Sequence, residues 1–230
     1  MSELIPLGPG DLVLSDFDGT VSVRDTGLEM MNRLDVPAAW DLEYMWRRGE
    51  IGSQECLAAQ WGLMRTSEEE LYAILDEMPL DETFPAFADF CRERGARLVI
   101  VSDGLDLYLF RLLRRLGLEG CPGTLPLAAP GGCLPVFVNH GEWTPEGVRV
   151  EFPHADTECW ECGNCKTREL LALRPDYRRL LYLGDGYSDM CPARHADVLF
   201  AKSHLADFCE REALAYHPFQ TFADIAAALS

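Results

Sequence analysis

Short apolar segments alternate along the chain with stretches in which apolar residues recur at helical spacing. Four of these segments have the length and composition of buried strands: residues 12–14, 98–101, 180–183 and 198–200. Two stretches with a helical period end at Gly95 and Gly117, where glycine is expected just beyond the last helical turn. This alternation predicts an α/β fold with a Rossmann-like parallel sheet flanked by helices.

One long stretch, residues 26–78, is too long to be a plain connection between two strands. It carries Met and Trp at helical spacing and is broken by Pro37, Gly49 and Gly52. We therefore predict an α/β core formed by residues 1–24 and 80–230, and a small helical cap formed by residues 25–79. Later in the chain, apolar alternation over residues 134–152 around a Pro-Glu-Gly turn predicts a β-hairpin, and residues 219–229 predict a closing helix.

Composition and charge exclude several classes of function. The chain has 230 residues and a net charge of −18, so it should repel nucleic-acid phosphates and anionic membrane surfaces. It contains no run of about 18 apolar residues that could span a membrane. Its first ten residues also lack the basic and then apolar pattern of a secretory signal peptide, so we expect a cytoplasmic protein. The nine cysteines are odd in number, and we expect most to be reduced thiols that pack as small hydrophobic side chains.

Polar residues follow three of the predicted strands. Asp16 and Asp18 come after the first, the Ser102-Asp103-Gly104 run after the second, and Asp185 and Asp189 after the third. Carboxyl ends of parallel strands meet at one edge of a sheet, so these side chains should surround one crevice. In Asp16-Phe17-Asp18-Gly19, the first carboxylate can face a substrate while the second acts on a leaving group. Alone, this motif fits an ordinary Asp-Gly turn better than a catalytic site, and it is the other two clusters that favour a site.

Four aspartates in one crevice would carry a formal charge of −4, which requires compensating cations. Asp16, Asp18, Asp185 and Asp189 offer oxygen ligands without imidazole, a set that favours Mg²⁺ over zinc. Lys166 is the candidate for the remaining positive charge. The sequence therefore predicts a site that binds an anionic ligand through magnesium.

The chain resembles the haloacid dehalogenase superfamily phosphatases in four features that occur in the same order. These are the Asp16/Asp18 motif, the Ser102-Asp103-Gly104 run, Lys166 and the Asp185/Asp189 pair. The resemblance implies that Asp16 is a nucleophile that forms an aspartyl-phosphate, and that Asp18 protonates the leaving oxygen and later activates water. It also implies that Ser102 and Lys166 bind phosphate, together with Asp103 and Gly104. It assigns Mg²⁺ to Asp16, the Asp18 carbonyl and Asp185, with Asp189 supporting the metal shell or orienting Lys166. A small-molecule phosphate ester is the expected partner.

The helical insertion resembles the cap of the phosphoserine phosphatase-like branch. Within that branch the chain is most similar to the methionine-salvage phosphatases that act on 2-hydroxy-3-keto-5-methylthiopentenyl-1-phosphate, partly because Asp25 follows Asp18 by seven residues. Asp25 is accordingly a candidate substrate ligand. Phosphocholine, phosphoethanolamine and phosphoserine phosphatases are alternatives, as is a phosphate-binding domain of the same fold without catalysis. Asp103 departs from the glycine common in the salvage enzymes, and its side chain is expected either in solvent or against the cap.

Three cysteines precede Lys166 at regular spacing: Cys159, Cys162 and Cys165. They form a candidate structural zinc site, in which His154 or Cys191 would be the fourth ligand. Zinc motifs usually contain two separated pairs, so buried thiols and a redox-labile disulfide are the competing hypotheses. If zinc binds, it would fix the loop that presents Lys166.

Overall fold

The predicted strands form the centre of one sheet. A computed structural model describes residues 5–128, 131–156 and 162–230. In this part of the chain the strands are β1 (Asp11–Ser15), β2 (Arg97–Leu105), β3 (Gly120–Pro122), β4 (Leu134–Thr144), β5 (Gly147–Glu151), β6 (Arg179–Gly184), β7 (Val198–Ala201) and β8 (His217–Pro218). The sheet order is β3-β4-β2-β1-β6-β7-β8, with neighbours parallel, and β5 pairs antiparallel with β4.

Ten α-helices accompany these strands in the described residues. They are α1 (Thr26–Arg33), α2 (Pro37–Arg47), α3 (Ser53–Leu63), α4 (Glu68–Asp76), α5 (Phe84–Glu93), α6 (Asp106–Arg115), α7 (Lys166–Leu173), α8 (Met190–Ala193), α9 (Ser203–Glu212) and α10 (Phe222–Ala228). Two short 3-10 helices cover Arg174–Asp176 and Tyr187–Asp189. None of the helices found in these ranges is both long and apolar enough to cross a membrane.

The sheet separates two apolar clusters, as expected for a layered α/β fold. Val13 of β1 packs in one cluster with Leu109 of α6 and Phe222 of α10. Its neighbours Leu12 and Leu14 point to the opposite face, into a cluster with residues of α7 and α9. Because both faces of β1 are buried, its sequence is continuously apolar instead of alternating.

The helical insertion is confirmed as α1–α4, which lie between β1 and β2 in the chain. The hairpin is also confirmed, with Thr144 opposite Gly147 at its turn. Its first strand has a second role, since the start of β4 pairs parallel with β2 and β3 before the chain leaves the core sheet. β4 therefore carries the hairpin out from the core, and β5 packs against α3 of the insertion.

Two expectations need correction. The Ser102-Asp103-Gly104 run does not follow β2 but lies within it, where the register with β4 shifts between Val101 and Leu105. The expectation that cysteines outside the Cys-rich run pack as reduced thiols is wrong for Cys121 and Cys133, which form a disulfide with their Cα atoms 5.7 Å apart. Cys121 lies in β3 and Cys133 immediately precedes β4, so strand pairing brings together two cysteines whose spacing carries no recognisable motif.

Candidate active site

The carboxyl ends of β1, β2 and β6 bring the predicted residues around one cavity. β1 lies between the other two strands, so Asp16 after β1 is flanked by Ser102 in β2 and Asp185 after β6. The cavity has a volume of about 320 Å³, and Asp16, Asp18, Asp25, Ser102, Asp103, Gly104, Asp185 and Asp189 all line it. Lys166 is buried beneath its floor.

Lys166 is the first residue of α7 and its ammonium group is buried among acids. Nζ donates to Asp16 Oδ1 at 2.6 Å, to Asp189 Oδ1 at 2.7 Å and to Ser188 Oγ at 2.9 Å. Burial alone would lower the pKa of Lys166, but the charges of Asp16 and Asp189 raise it well above its usual value. Lys166 is therefore positively charged at neutral pH and is held against the carboxylate of Asp16.

Asp189 is completely buried and accepts four hydrogen bonds. Besides Lys166, its donors are the hydroxyl of Tyr182 at 2.6 Å and the backbone N–H groups of Asp185 at 3.0 Å and Gly186 at 2.9 Å. These contacts hold both the lysine and the loop that carries Asp185. Of the two predicted roles of Asp189, this geometry favours orienting Lys166.

Asp185 lies across from Asp16 and accepts a hydrogen bond from the hydroxyl of Thr20 at 3.1 Å. Burial, followed by the charge of Asp189, raises the pKa of Asp185 to about 7. Gly19 passes so close that a Cβ there would overlap the Asp185 carboxylate, and its φ of +85° also favours glycine. The loop after β1 therefore packs directly on the loop after β6.

The aspartates satisfy the requirements of a hard divalent cation. Asp16, Asp185 and Asp189 each offer a carboxylate oxygen, and these oxygens lie within 4.8 Å of one another. Burial and the charges of Asp189 and Asp185 raise the pKa of Asp16 well above its usual value, while Lys166 opposes them. Lys166 alone does not balance the negative charge of these acids. Because their ligand atoms are all oxygens, the site fits Mg²⁺.

Zinc is not supported. Within the described ranges, this aspartate cluster is the one group of acid, His or Cys side chains arranged to hold a metal ion. Cys159 lies outside the described residues, so the structure does not describe the proposed set of three cysteines as a whole. His154, the suggested fourth ligand, instead places Nδ1 3.3 Å from Oε1 of the buried Glu169.

Asp18 lines the cavity and lies beside two hydroxyl groups. Its Oδ2 accepts hydrogen bonds from the hydroxyls of Tyr108 at 2.7 Å and Ser102 at 3.2 Å. Its Oδ1 is buried and makes no hydrogen bond to any described residue. Burial raises the pKa of Asp18, and the polar groups of Thr26, Tyr108 and Ser102 oppose this rise. The two aspartates of the motif therefore have different surroundings: a cation beside Asp16, and hydroxyl groups beside Asp18.

The side chain of Asp103 was expected either in solvent or against the cap, but it is hydrogen-bonded to the segment before Lys166. Its Oδ1 accepts a hydrogen bond from the backbone N–H of Asn164 at 2.5 Å, and its carbonyl accepts one from Asn139 Nδ2 at 2.8 Å. Asn164 also donates through Nδ2 to the carbonyls of Ser102 at 3.1 Å and Phe137 at 2.9 Å. This network attaches the segment before Lys166 to the strand end that carries Ser102.

Asp25 lies on the wall of the cavity and begins α1. Its Oδ1 accepts a hydrogen bond from the backbone N–H of Leu28 at 2.9 Å, the contact of a helix N-cap. The side chain is exposed at the cavity surface. The structure thus gives Asp25 a helix-capping contact in addition to the position predicted for a substrate ligand.

The upper walls come from the helical insertion. The apolar part contains residues of α1, α2 and α3: Leu28, Met31, Trp46, Leu57 and Trp61. The polar part is a chain in which Arg47 Nε donates to Glu43 Oε1 at 2.8 Å and Gln60 Nε2 donates to Glu43 Oε2 at 3.3 Å. Trp40, which could have joined an aromatic cage, packs against Tyr44 with ring centroids 6.1 Å apart.

Sequence reasoning missed the residues that support the predicted ones. These are Thr20, Tyr108, Asn139, Asn164 and Tyr182, together with the cavity residues Glu43, Arg47 and Gln60. Tyr108 falls within the apolar face of α6 and Tyr182 within an apolar strand, so the pattern predicts both as core. A polar tip on an otherwise buried position was the available signal, since buried tyrosine hydroxyls usually have a partner.

Comparison with known protein families matches residues 13–194 to the haloacid dehalogenase-like hydrolases. A 2-hydroxy-3-keto-5-methylthiopentenyl-1-phosphate phosphatase from Bacillus velezensis is 30% identical, and the alignment covers 93% of this chain and 87% of that protein. A phosphatase of the same name from Exiguobacterium is 29% identical over 94% of this chain and 95% of its own length.

Solved structures share the fold at low sequence identity. A phosphoserine phosphatase that carries a phospho-aspartyl intermediate analogue superposes with a TM-score of 0.69 and 16% identity, covering 96% of this chain and 100% of that one. A phosphoserine phosphatase with bound substrate gives a TM-score of 0.68 and 14% identity, with 100% coverage of both chains. The predicted fold is thereby confirmed.

Proposed function

Because the chain belongs to the haloacid dehalogenase-like hydrolase family and its relatives are phosphatases, we propose that it hydrolyses the phosphate ester of a small metabolite with Mg²⁺ bound. The observation that carries this proposal is the pairing of Asp16 with Lys166 and of Asp18 with Tyr108 and Ser102 on the floor of one cavity. Lys166 places a positive charge beside the Asp16 carboxylate, where a phosphate group would bind. Asp18 lies among hydroxyl groups, in a position suited to proton transfer.

In the first half-reaction, a carboxylate oxygen of Asp16 attacks phosphorus and forms an aspartyl-phosphate. The bond between phosphorus and the leaving oxygen breaks, and Asp18 gives its proton to that oxygen. In the second half-reaction, Asp18 takes a proton from water and the water oxygen attacks phosphorus. The bond between phosphorus and the Asp16 oxygen breaks, which frees the Asp16 carboxylate and releases inorganic phosphate. Both residues return to their starting protonation states, so the cycle consumes only ester and water.

Phosphate binding is assigned to the groups nearest Asp16. Lys166 would contribute its charge and Ser102 its hydroxyl. The N–H of Gly104, which donates to Ser102 Oγ at 2.9 Å, would hold that hydroxyl in place. Asp103 would act through the backbone of Asn164, by fixing the segment before Lys166. A negatively charged ester thus meets donors on one side and the aspartates on the other.

Magnesium would be held by the carboxylates of Asp16 and Asp185 and by the backbone carbonyl of Asp18, with Asp189 supporting this set. When bound, the ion neutralises charge on the phosphoryl oxygens and allows a carboxylate to approach an anionic ester. The residues fit this role because carboxylate oxygens of Asp16, Asp185 and Asp189 lie within 4.8 Å of one another. Burial, together with the charges of neighbouring acids, raises the pKa values of Asp16 and Asp185.

The substrate we favour is 2-hydroxy-3-keto-5-methylthiopentenyl-1-phosphate, the compound named for the two relatives. Its uncharged methylthio tail would lie against the apolar wall formed by Met31, Leu57 and Trp61. Its oxygen substituents would face Arg47 and Gln60. Residues 25–79 would then act as the cap that selects this ester.

A quaternary amine fits the cavity less well. Trp46 and Trp61 line it, as a cation-binding cage would require, but the nearby Glu43 already pairs with Arg47. This pairing compensates the charge of Glu43, so its carboxylate would attract the ammonium group of choline or ethanolamine only weakly. Phosphocholine and phosphoethanolamine therefore serve as comparison substrates.

The test is phosphate release with and without Mg²⁺ from the methylthiopentenyl ester, phosphocholine, phosphoethanolamine and phosphoserine. We expect Mg²⁺-dependent turnover, highest kcat/KM for the methylthiopentenyl ester, and no turnover by Asp16→Asn. Asp207→Asn, which changes an exposed aspartate on α9, is the matched control and should behave like the wild type. Circular dichroism should show that Asp16→Asn is folded.

The outcomes separate the alternatives. Preference for another ester would change the substrate and keep the mechanism. Wild-type turnover by Asp16→Asn would remove the mechanism. If the folded, Mg²⁺-loaded wild type released no phosphate from any ester, the phosphatase proposal would be contradicted. A domain that binds phosphate without catalysis would then be favoured.

A further inference from the structure

Tyr108 contacts Asp18 from inside the core. It is the third residue of α6, is buried, and donates its hydroxyl hydrogen to Asp18 Oδ2 at 2.7 Å. Ser102 donates to the same oxygen at 3.2 Å. The other carboxylate oxygen, Oδ1, makes no hydrogen bond within the described part of the chain. The two oxygens of Asp18 are therefore not equivalent.

The contact between Tyr108 and Asp18 depends on a glycine in the neighbouring strand. A Cβ on Gly104 would overlap the Tyr108 hydroxyl and would lie 2.6 Å from Asp18 Oδ2. Any larger residue at this position would have to displace one of the two groups. The close approach of phenol to carboxylate is thus built into the end of β2.

The ring of Tyr108 is fixed from the opposite side by the helical insertion. Trp61 of α3 stacks on it, with ring centroids 5.9 Å apart and an interplanar angle of 15°. Both residues line the cavity. Tyr108 therefore has little rotational freedom and holds its hydroxyl in one place relative to Asp18.

We propose that Tyr108 is a positioning residue that holds Oδ2 of Asp18 in place and leaves Oδ1 to face the leaving oxygen. Because Oδ2 accepts the hydrogen bond of Tyr108, Oδ1 is the oxygen from which Asp18 gives its proton. During ester cleavage that proton moves to the leaving oxygen as the bond to phosphorus breaks, and Tyr108 keeps its own proton. This inference rests on the proposed function, since it concerns the acid of that reaction.

The test uses two aryl esters of nearly equal shape, phenyl phosphate and p-nitrophenyl phosphate. Nitrophenolate leaves readily without a proton, whereas phenolate depends much more on general-acid assistance. The parameter is kcat/KM, which covers the steps up to loss of the leaving group and excludes hydrolysis of the aspartyl-phosphate. A positioning role changes the ratio of the two kcat/KM values, and a general loss of structure does not.

For Tyr108→Phe we expect kcat/KM for phenyl phosphate to fall by about 10- to 100-fold, since general acids contribute about 10²- to 10⁴-fold in total. The value for p-nitrophenyl phosphate should stay within about threefold. Tyr216→Phe is the matched control, because it removes a tyrosine hydroxyl that donates to Glu210 at 3.0 Å on the surface. That variant should keep the wild-type ratio.

Equal losses on both esters, or no loss on either, would overturn the inference while leaving the proposed phosphatase function intact. Asp18→Asn, measured in parallel, should show the same discrimination between the esters as Tyr108→Phe and a larger effect. Failure of the wild type to hydrolyse either aryl phosphate or any ester of the metabolite panel would overturn the proposed function itself. Thermal unfolding of Tyr108→Phe checks that the phenylalanine variant is folded.

Discussion

At the scale of single residues, the candidate site is a place where like charges are held together against their repulsion. Asp185 illustrates this, because burial and the charge of Asp189 raise its pKa to about 7, from a usual value of 3.8. An acid with a raised pKa destabilises the folded state at any pH above its usual value, and fully so above the raised one. We therefore expect Asp185→Asn to stabilise the metal-free protein by about 1–2 kcal/mol at about pH 8. It should also raise the half-saturating Mg²⁺ concentration about tenfold or more.

Asp189→Asn is the matched comparison from the same cluster, and its effect on stability should have the opposite sign. Asp189 pairs with Lys166 in a fully buried contact, so its removal leaves a buried ammonium with one acid fewer. We expect this variant to lower the free energy of unfolding by about 3 kcal/mol. Urea denaturation without Mg²⁺, together with Mg²⁺ titration of activity, measures both variants. Equal destabilisation by the two would show that repulsion at Asp185 is unimportant.

The residues that could be predicted at this scale are those whose partners are nearby in sequence or whose motif is local. Asp16, Asp18 and Asp185 follow strands directly, and Lys166 completes a recognisable order. The contact of Tyr108 with Asp18 could not be located from the sequence, because it joins residues 90 positions apart in the chain. Such a contact depends on how α6 is placed against β1, which no local pattern encodes.

At the scale of elements, Asp25 joins a helix end to the cavity. As the N-cap of α1 it accepts the N–H of Leu28, and as a wall residue it faces the substrate space. Asn caps a helix as well as Asp does, whereas Ala does not. We expect Asp25→Ala to lose about 1 kcal/mol of stability and Asp25→Asn to lose almost none. Both should raise KM for the best substrate several-fold, because both remove the carboxylate.

Thermal unfolding and steady-state kinetics of the two variants separate these roles. An unchanged KM in Asp25→Asn would mean that the carboxylate serves α1 alone. Ser67→Ala provides a control, since Ser67 caps α4 through the N–H of Glu70 at 3.1 Å and its exposed hydroxyl should affect stability without affecting KM.

The elements that could be predicted are those with strong periodicity. β1, β6, α5 and α6 carry enough apolar residues to be located from the sequence, and Ser67 marks the start of α4. β3 and β8 contain three and two residues, too few for any alternation to appear. The Cys121–Cys133 disulfide followed from the pairing of β3 with β4, so missing the strand meant missing the bond.

At the scale of the whole molecule, the helical insertion packs against a hairpin that is distant from it in sequence. The insertion supplies the walls, and the hairpin extends from β4 so that β5 packs against α3. Gly147 at the hairpin turn would place a Cβ 2.9 Å from the carbonyl oxygen of Gly62 in α3. The sequence predicted the insertion and the hairpin separately, and their contact became visible only in three dimensions.

At the other end of the strands from the cavity, an aspartate pairs with two arginines. Asp11 at the start of β1 is completely buried and accepts hydrogen bonds from Arg178 at 2.9 Å, Arg179 at 2.5 Å and the N–H of Gly8 at 3.0 Å. Arg179 also donates to the carbonyls of residues 5 and 6, which attaches the amino-terminal segment to β6. Burial alone would raise the pKa of Asp11, but the two arginines outweigh it and the pKa lies below its usual value of 3.8.

An acid with a lowered pKa stabilises the fold above its usual pKa, and this contribution is lost as the pH falls through the lower, folded-state value. Because Arg178 is 59% exposed, we expect Asp11→Asn to cost only about 2 kcal/mol at neutral pH. The difference from wild type should narrow as the pH falls below 3.8. Urea denaturation across this range measures it, with Asp207→Asn as the exposed control. Since Asp11 lies at the end of the sheet remote from the cavity, kcat of the folded variant should equal that of the wild type. A difference that stays constant with pH would mean that Asp11 stabilises the fold through its shape and not through its charge.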